Sequence, residues 1–134
     1  MSAEFADSNV ILYLAGPDDR RALRAHRLVD DGLTISVQVL NEIANVMVRK
    51  WKHPWPRVTD FLATLRSQTL VVPVDEDVHE KGLYIAVRYK LTIYDSMIVA
   101  AALLAGCDTL YTEDMHPGLV IENRLRIVNP FAGT

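Results

Sequence analysis

The chain has 134 residues, half of them apolar, with 17 acidic and 14 basic side chains and a formal charge of −3. That length supports one domain around a single core, residues 1–134, and leaves no room for a second. The composition excludes a disordered chain, and the acidic balance excludes a broadly basic surface that coats nucleic acid by neutralising phosphates.

In chain order, Ala3 to Ala6 predicts a short strand running into Asp7-Ser8-Asn9, and Val10, Ile11, Leu12 and Leu14 predict a first helical stretch that Gly16-Pro17 interrupts. Asp18 to Asp31 carries apolar positions at helical spacing with arginines between them, an amphipathic helix that Gly32 ends. Leu33 to Ile35 reads as a second strand, and Ser36 caps a helix that runs to about Lys50 with Glu42 in its second turn. Trp51 to Pro56 and the stripe Val58, Phe61, Leu62 and Leu65 predict an exposed helical hairpin. Leu70 to Val74 is a third strand, and Asp75 or Asp77 caps the helix that follows. Tyr94-Asp95-Ser96 opens a buried helix from Met97 to Ala105, too short to span a membrane. Thr109 to Thr112 is a fourth strand leading to Glu113-Asp114, and Arg126 to Val128 a fifth.

Alternating strands and helices predict a mostly parallel sheet covered on both faces, with its site beyond the carboxyl ends of the strands. Asp7 and Asp114 fall at such ends, Asp95 at the start of the buried helix, and Glu42 shortly after the second strand. Four carboxylates in one pocket repel unless protons or cations occupy it. Oxygen ligands without His or Cys suit Mg²⁺ or Mn²⁺, and such ions activate water for attack on phosphate esters. By spacing alone, the same acids also read as helix caps or solvated surface. Ser8, Asn9, Ser96 and Thr112 stand beside them as candidates to hold the carboxylates or their waters, with local capping the competing role.

The strings FADSNVILY, ISVQVLNEI, YDSMIVAAAL and LYTEDM resemble, in order and spacing, the four signature blocks of PIN-domain nucleases, especially the VapC-like toxins of prokaryotic toxin–antitoxin pairs. The resemblance covers nearly the whole chain. It implies a three-layer α/β/α PIN fold and an acidic quartet of Asp7, Glu42, Asp95 and Asp114. Within that quartet the resemblance implies Asp7, Asp95 and Asp114 as the direct ligands of Mg²⁺ or Mn²⁺, with Glu42 ligating or orienting water. The family's Thr-x-Asp pattern selects Asp114 over Glu113, as does strand alternation, which puts Thr112 and Asp114 on one side. The resemblance also implies an RNA substrate, a cognate antitoxin lying along the early helices, and a homodimer.

Other features carry less chemistry. The opening run MSAEFADSNV lacks a signal peptide's basic start and apolar stretch, so a cytoplasmic protein without membrane contact is expected. Cys107 stands alone and reads as a buried small residue. Asp18-Asp19, Asp30-Asp31 and Asp75-Glu76-Asp77 read as caps and solvated helix ends. His26, His53, His79 and His116 lack the neighbours of a zinc site. Arg20, Arg21, Arg24 and Arg27 read as a solvated helix face, with guidance of phosphates as the alternative role. Trp51, His53 and Trp55 suit stacking of RNA bases, anchoring of a partner, or simple hairpin packing. Three rival readings are an RNA-processing nuclease without an antitoxin, a phosphoacceptor signalling domain, and an inactive PIN-like interaction module. The phosphoacceptor design places a Lys after a late strand, where this chain has Thr112-Glu113-Asp114.

Overall fold

A computed structural model describes residues 3–132; the outermost residues of the 1–134 span lie outside the described range. Six strands form one sheet in the order β3-β2-β1-β4-β6-β5. β1 (Glu4–Ala6) is central, pairing in parallel with β2 (Thr34–Ser36) and β4 (Thr109–Tyr111). β3 (Leu70–Val72) extends the sheet beyond β2, and β6 (Leu125–Val128) beyond β4, both in parallel. Only β5 (Val120–Ile121) is antiparallel, paired with β6. The chain leaves β1 toward β2 and β3, then returns to β4 on the other side. The switch point therefore lies between the carboxyl ends of β1 and β4, where open α/β sheets place their ligands.

Six α-helices connect and cover these strands: α1 (Ser8–Ile11), α2 (Asp19–Asp31), α3 (Val37–Asn45), α4 (Trp55–Gln68), α5 (Glu76–Tyr89) and α6 (Ile93–Leu104). A 3₁₀ turn, Leu12–Ala15, prolongs α1, and a π turn, Val46–Lys50, prolongs α3. Asp18, Ser36 and Asp75 cap α2, α3 and α5 through their side chains, as their positions ahead of apolar stripes predict. The core is built on α6, whose residues Ser96 through Leu103 are all buried, packed with Phe5, Ile35, Leu110 and Ile127 of the strands. Each fully buried aliphatic side chain of this set contributes roughly 1.5–3 kcal/mol of transfer free energy. The α/β/α layering and mostly parallel sheet match the expectation.

Several boundaries differ from the sequence reading. α6 starts at Ile93 rather than Met97, because Thr92 is its cap: Thr92 Oγ1 accepts from Asp95 N at 3.2 Å. The second strand is Thr34–Ser36 rather than Leu33–Ile35, and β3 stops before Pro73, which has no N–H to donate. A sixth strand, β5, was unexpected. Its turn to β6 places Glu122 (φ 53°) and Asn123 (φ 56°) in the left-handed region without any glycine. Lys81 holds Glu122 at 2.7 Å and Tyr89 Oη accepts from Glu122 N at 2.9 Å, which fixes that turn from α5. The arginines of α2 are not uniformly solvated. Arg21 lies over the rings of Tyr13 and Phe131, and Arg24 Nε donates to Pro130 O at 3.1 Å, because the chain end folds back onto α2. Cys107 is buried, as expected. No helix among the described residues is long and apolar enough to cross a membrane.

Candidate active site

Asp7 leaves β1 in extended conformation and caps α1, its Oδ1 accepting from Ser8 N at 2.7 Å. Its own N–H donates to Tyr111 O at 2.9 Å, so the backbone of the switch point is fastened to the end of β4. Asp7 is only 4% exposed. Burial raises its pKa to about 6, opposed by the hydrogen bond from Thr112 and reinforced by the charges of Glu42 and Asp95.

Thr112, the residue after β4, joins two of the acids. Its Oγ1 donates to Asp7 Oδ2 at 2.9 Å and accepts from Asp114 N at 3.2 Å and Asn9 Nδ2 at 3.2 Å. Asn9 Nδ2 also approaches Asp7 Oδ2 at 3.5 Å, and its Oδ1 accepts from Glu113 N at 3.2 Å. The segment Thr112–Asp114 is thus stitched to the start of α1 by side chains that the sequence placed beside the acids. Asp114 stands exposed at the end of that segment.

Glu42 reaches the same place from α3. Its Oε1 accepts from Ser8 Oγ at 2.9 Å, and Ser8 Oγ lies 3.4 Å from Asp7 Oδ1, so one hydroxyl spans two carboxylates. Its Oε2 accepts from Gln38 Nε2 at 3.1 Å, and Gln38 Nε2 also donates to Tyr94 O at 2.9 Å. Gln38 therefore ties Glu42 to the mouth of α6, a role the sequence reading missed. Its signal was the i, i+4 spacing to Glu42 on one helix face. Asp95, in the first turn of α6, is half-buried, and that burial raises its pKa; Thr92 opposes the shift and the charge of Asp114 adds to it. Ser96 Oγ is buried without a hydrogen-bond partner.

Glu113 turns away from the four acids. Its Oε1 accepts from Tyr13 Oη at 2.6 Å and its Oε2 lies 3.8 Å from Arg21 Nε. Burial and this carboxylate push the Tyr13 phenol up to about 12, so it stays a donor.

The fold thus draws Asp7, Glu42, Asp95 and Asp114 toward one end of the sheet from four separate elements, near enough that the charges of Glu42 and Asp95 raise Asp7 and that of Asp114 raises Asp95. Among the described residues no Lys, Arg or His pairs with any of them. Buried or half-buried carboxylates without a cationic side chain fit a bound cation. Among the described residues, no three acidic, His or Cys side chains close into a preformed cage. An open, all-oxygen set of this kind fits Mg²⁺ or Mn²⁺ better than a caged ion, since Mg²⁺ keeps several waters and uses few carboxylates.

A PIN-domain family model matches residues 5–116. No curated protein sequence matches the chain. Among solved structures, VapC20 of Mycobacterium tuberculosis, a sarcin-ricin-loop-cleaving toxin, is similar with TM-score 0.67 and 24% identity, over 83% of this chain and 89% of that one. A chain of a Klebsiella pneumoniae toxin–antitoxin complex is similar with TM-score 0.68 and 20% identity, over 96% and 98%. A chain of VapBC2 from Rickettsia felis, bound to a fragment of promoter DNA, gives 0.66 and 15%, over 94% and 98%. At these identities the likeness establishes a shared fold.

Proposed function

The chain belongs to the PIN-domain family, and from that premise we propose that it is a divalent-metal-dependent endoribonuclease acting as the toxin of a toxin–antitoxin pair. One observation carries the chemistry: a buried carboxylate, Asp7, at the switch point of the sheet, coupled to Glu42 and Asp95 and without a cationic side chain to neutralise it.

Asp7, Asp95 and Asp114 would hold Mg²⁺ or Mn²⁺, with Glu42 ligating or orienting water. When bound, the cation supplies Lewis-acid chemistry, activating water and offsetting charge on a phosphodiester. The protein's own part is positional. Thr112 and Ser8 fix both oxygens of Asp7, and Ser8 and Gln38 fix both oxygens of Glu42. These two carboxylates then need little reorganisation as the substrate enters. Ser8, Asn9 and Thr112 act as supports for the acids, and Ser96, beside Asp95, is assigned the same supporting role.

We read residues 1–134 as one domain, because β6, beyond the matched span, hydrogen-bonds along β4 within it. The toxin role, a cognate antitoxin and a homodimer rest on the VapC-like sequence blocks and on the fold shared with chains of toxin–antitoxin complexes. RNA is the proposed substrate, since one structurally similar chain is described as a toxin that cleaves the sarcin-ricin loop. The proposed setting is the cytoplasm.

The test is cleavage of a mixed RNA pool by purified protein with Mg²⁺, Mn²⁺ or EDTA, beside Asp7→Asn prepared identically. Cutting that needs metal and is lost in Asp7→Asn is expected. No cutting under any condition would move the protein to the class of inactive interaction modules. Growth arrest on expression of the active enzyme, absent for Asp7→Asn, separates a toxin from an RNA-processing nuclease.

A further inference from the structure

Beside the acids lies a cleft of about 270 Å³, walled by the end of the 3₁₀ turn, the start of α2 and the π turn after α3, with Trp51 along one side. We propose that this cleft is a subsite for a single nucleobase of the RNA strand, next to the phosphodiester that is cut. The proposal rests on the nuclease reading and adds to it where the substrate's base is held.

Its position follows from Asn9, which belongs to both places. Asn9 lines the cleft, and the same amide contacts Asp7 Oδ2 at 3.5 Å and Thr112 Oγ1 at 3.2 Å. A ligand seated in the cleft is thus separated from the acid cluster by one side chain.

One wall of the cleft is aromatic. Trp51 is half-buried, packed against the core on one side, while Trp55 four residues on is 61% exposed and outside the cleft. Gly16 stands opposite Trp51, and a Cβ there would sit 3.6 Å from Trp51 Cη2. The backbone at Gly16 is extended, with φ −105°, so its conformation asks for no glycine. A Cβ there would already touch the edge of the indole, so glycine keeps that edge of the ring uncrowded. Unstacked RNA bases are recognised by placing them against aromatic rings.

The charges sort base from phosphate. Asp18 and Glu113 line the interior, and Arg21 behind them approaches both, at 2.8 Å and 3.8 Å. Lys50 is exposed on the cleft's margin, placed to meet a backbone phosphate. The committed carboxylates retain acceptor lone pairs, so the interior favours a base with an exocyclic amino group over uracil.

The experiment uses Trp55→Phe protein, in which Trp51 is the remaining indole, titrated in EDTA with the single-stranded RNA hexanucleotides A6, C6 and U6. Saturable quenching of Trp51 is expected, at several-fold lower concentration for A6 and C6 than for U6. Gly16→Val, whose branched side chain crowds the edge of the indole, should weaken that quenching at least tenfold while its thermal unfolding stays near the parent's. Asp7→Asn should lose cleavage yet keep the quenching, so the two readings fail separately. No quenching by any oligonucleotide at millimolar concentration, or quenching untouched by Gly16→Val, would overturn the subsite. Quenching by an added partner protein alone would likewise overturn it and assign the cleft to protein recognition.

Discussion

Asp7 shows how a single residue trades stability for chemistry. Its carboxyl is raised to about 6 in the folded chain, from an ordinary aspartate value of 3.8, chiefly by burial. The metal-free protein therefore pays about 3 kcal/mol, an order-of-magnitude figure, to hold Asp7 ionised at neutral pH. Asp7→Asn removes the charge in a side chain of nearly the same shape that still accepts from Ser8 N. It should stabilise the metal-free protein at pH 8 by about 1–2 kcal/mol while abolishing cleavage, measured by denaturant unfolding in EDTA and by RNA cleavage. A destabilised Asp7→Asn would mean that its hydrogen bonds outweigh its charge. Asp95→Asn should behave alike in function: metal binding weakens and cleavage is lost with circular dichroism unchanged, and full activity would place the site elsewhere. The four candidate acids stood out through the ordered blocks that hold them, since by spacing alone each also reads as a cap or a solvated residue. Gln38 was not, since its amide acquires a role only when α3 meets the mouth of α6. Arg21 was read as solvated because nothing local to α2 indicates that Tyr13, Phe131 and Glu113 converge on it.

At the scale of elements, the strongest expectations were those in which cap and periodicity agree. Asp18 and Gly32 bracket α2, and Ser36 opens α3, as their sequence positions require. The start of α6 was displaced because Asp95-Ser96 resembles a cap, whereas Thr92 performs that role three residues earlier. The β5–β6 hairpin stayed hidden because Val120–Ile121 is too short to alternate and its turn lacks Asn-Gly or Asp-Gly. Contacts from α5 supply what the turn residues lack. The close approach of α5 to α6 was equally invisible, and it depends on Gly82. A Cβ there would fall 2.6 Å from Met97 Sδ and 2.7 Å from Met97 Cε. Met97 is nearly buried and two residues beyond Asp95, so crowding it bears on the site as well as on the core. Gly82→Val should destabilise by roughly 1–3 kcal/mol through overpacking and a β-branched helix residue. Gly82→Ala with Met97→Ala should recover much of what steric conflict costs, and a double-mutant cycle of unfolding energies checks the coupling. Additive effects would show that Met97 is not what Gly82 accommodates.

Over the whole molecule, the parallel sheet was readable from alternating elements, but its strand order was not, because pairing depends on contacts far apart in sequence. That order is what gathers scattered acids into a candidate site: β1 and β4 are neighbours, so Asp7 and Asp114 come to the same end of the sheet across a long stretch of chain. It also makes folding, metal binding and pH one linked problem. The folded chain binds a proton at Asp7 more tightly than the unfolded chain does, so between the ordinary aspartate range and about 6 the native state carries more protons. Metal-free stability must then fall as pH rises through that window and level off above it. In the proposed site a cation would compete with the same proton and bind the ionised form, so its stabilising effect would grow over the range in which intrinsic stability declines. We therefore expect Mn²⁺ to raise the melting temperature little at pH 5 and substantially at pH 8, where saturation a hundredfold above Kd is worth about 2.7 kcal/mol. RNA cleavage should rise with pH along an acid limb near 6 for the same reason. In Asp7→Asn the dependence of the Mn²⁺ shift on pH should flatten, which calorimetry across this range reads directly. Equal Mn²⁺ stabilisation at both pH values in the parent protein would detach the metal from Asp7, and with it the link between the switch point of the sheet and the chemistry.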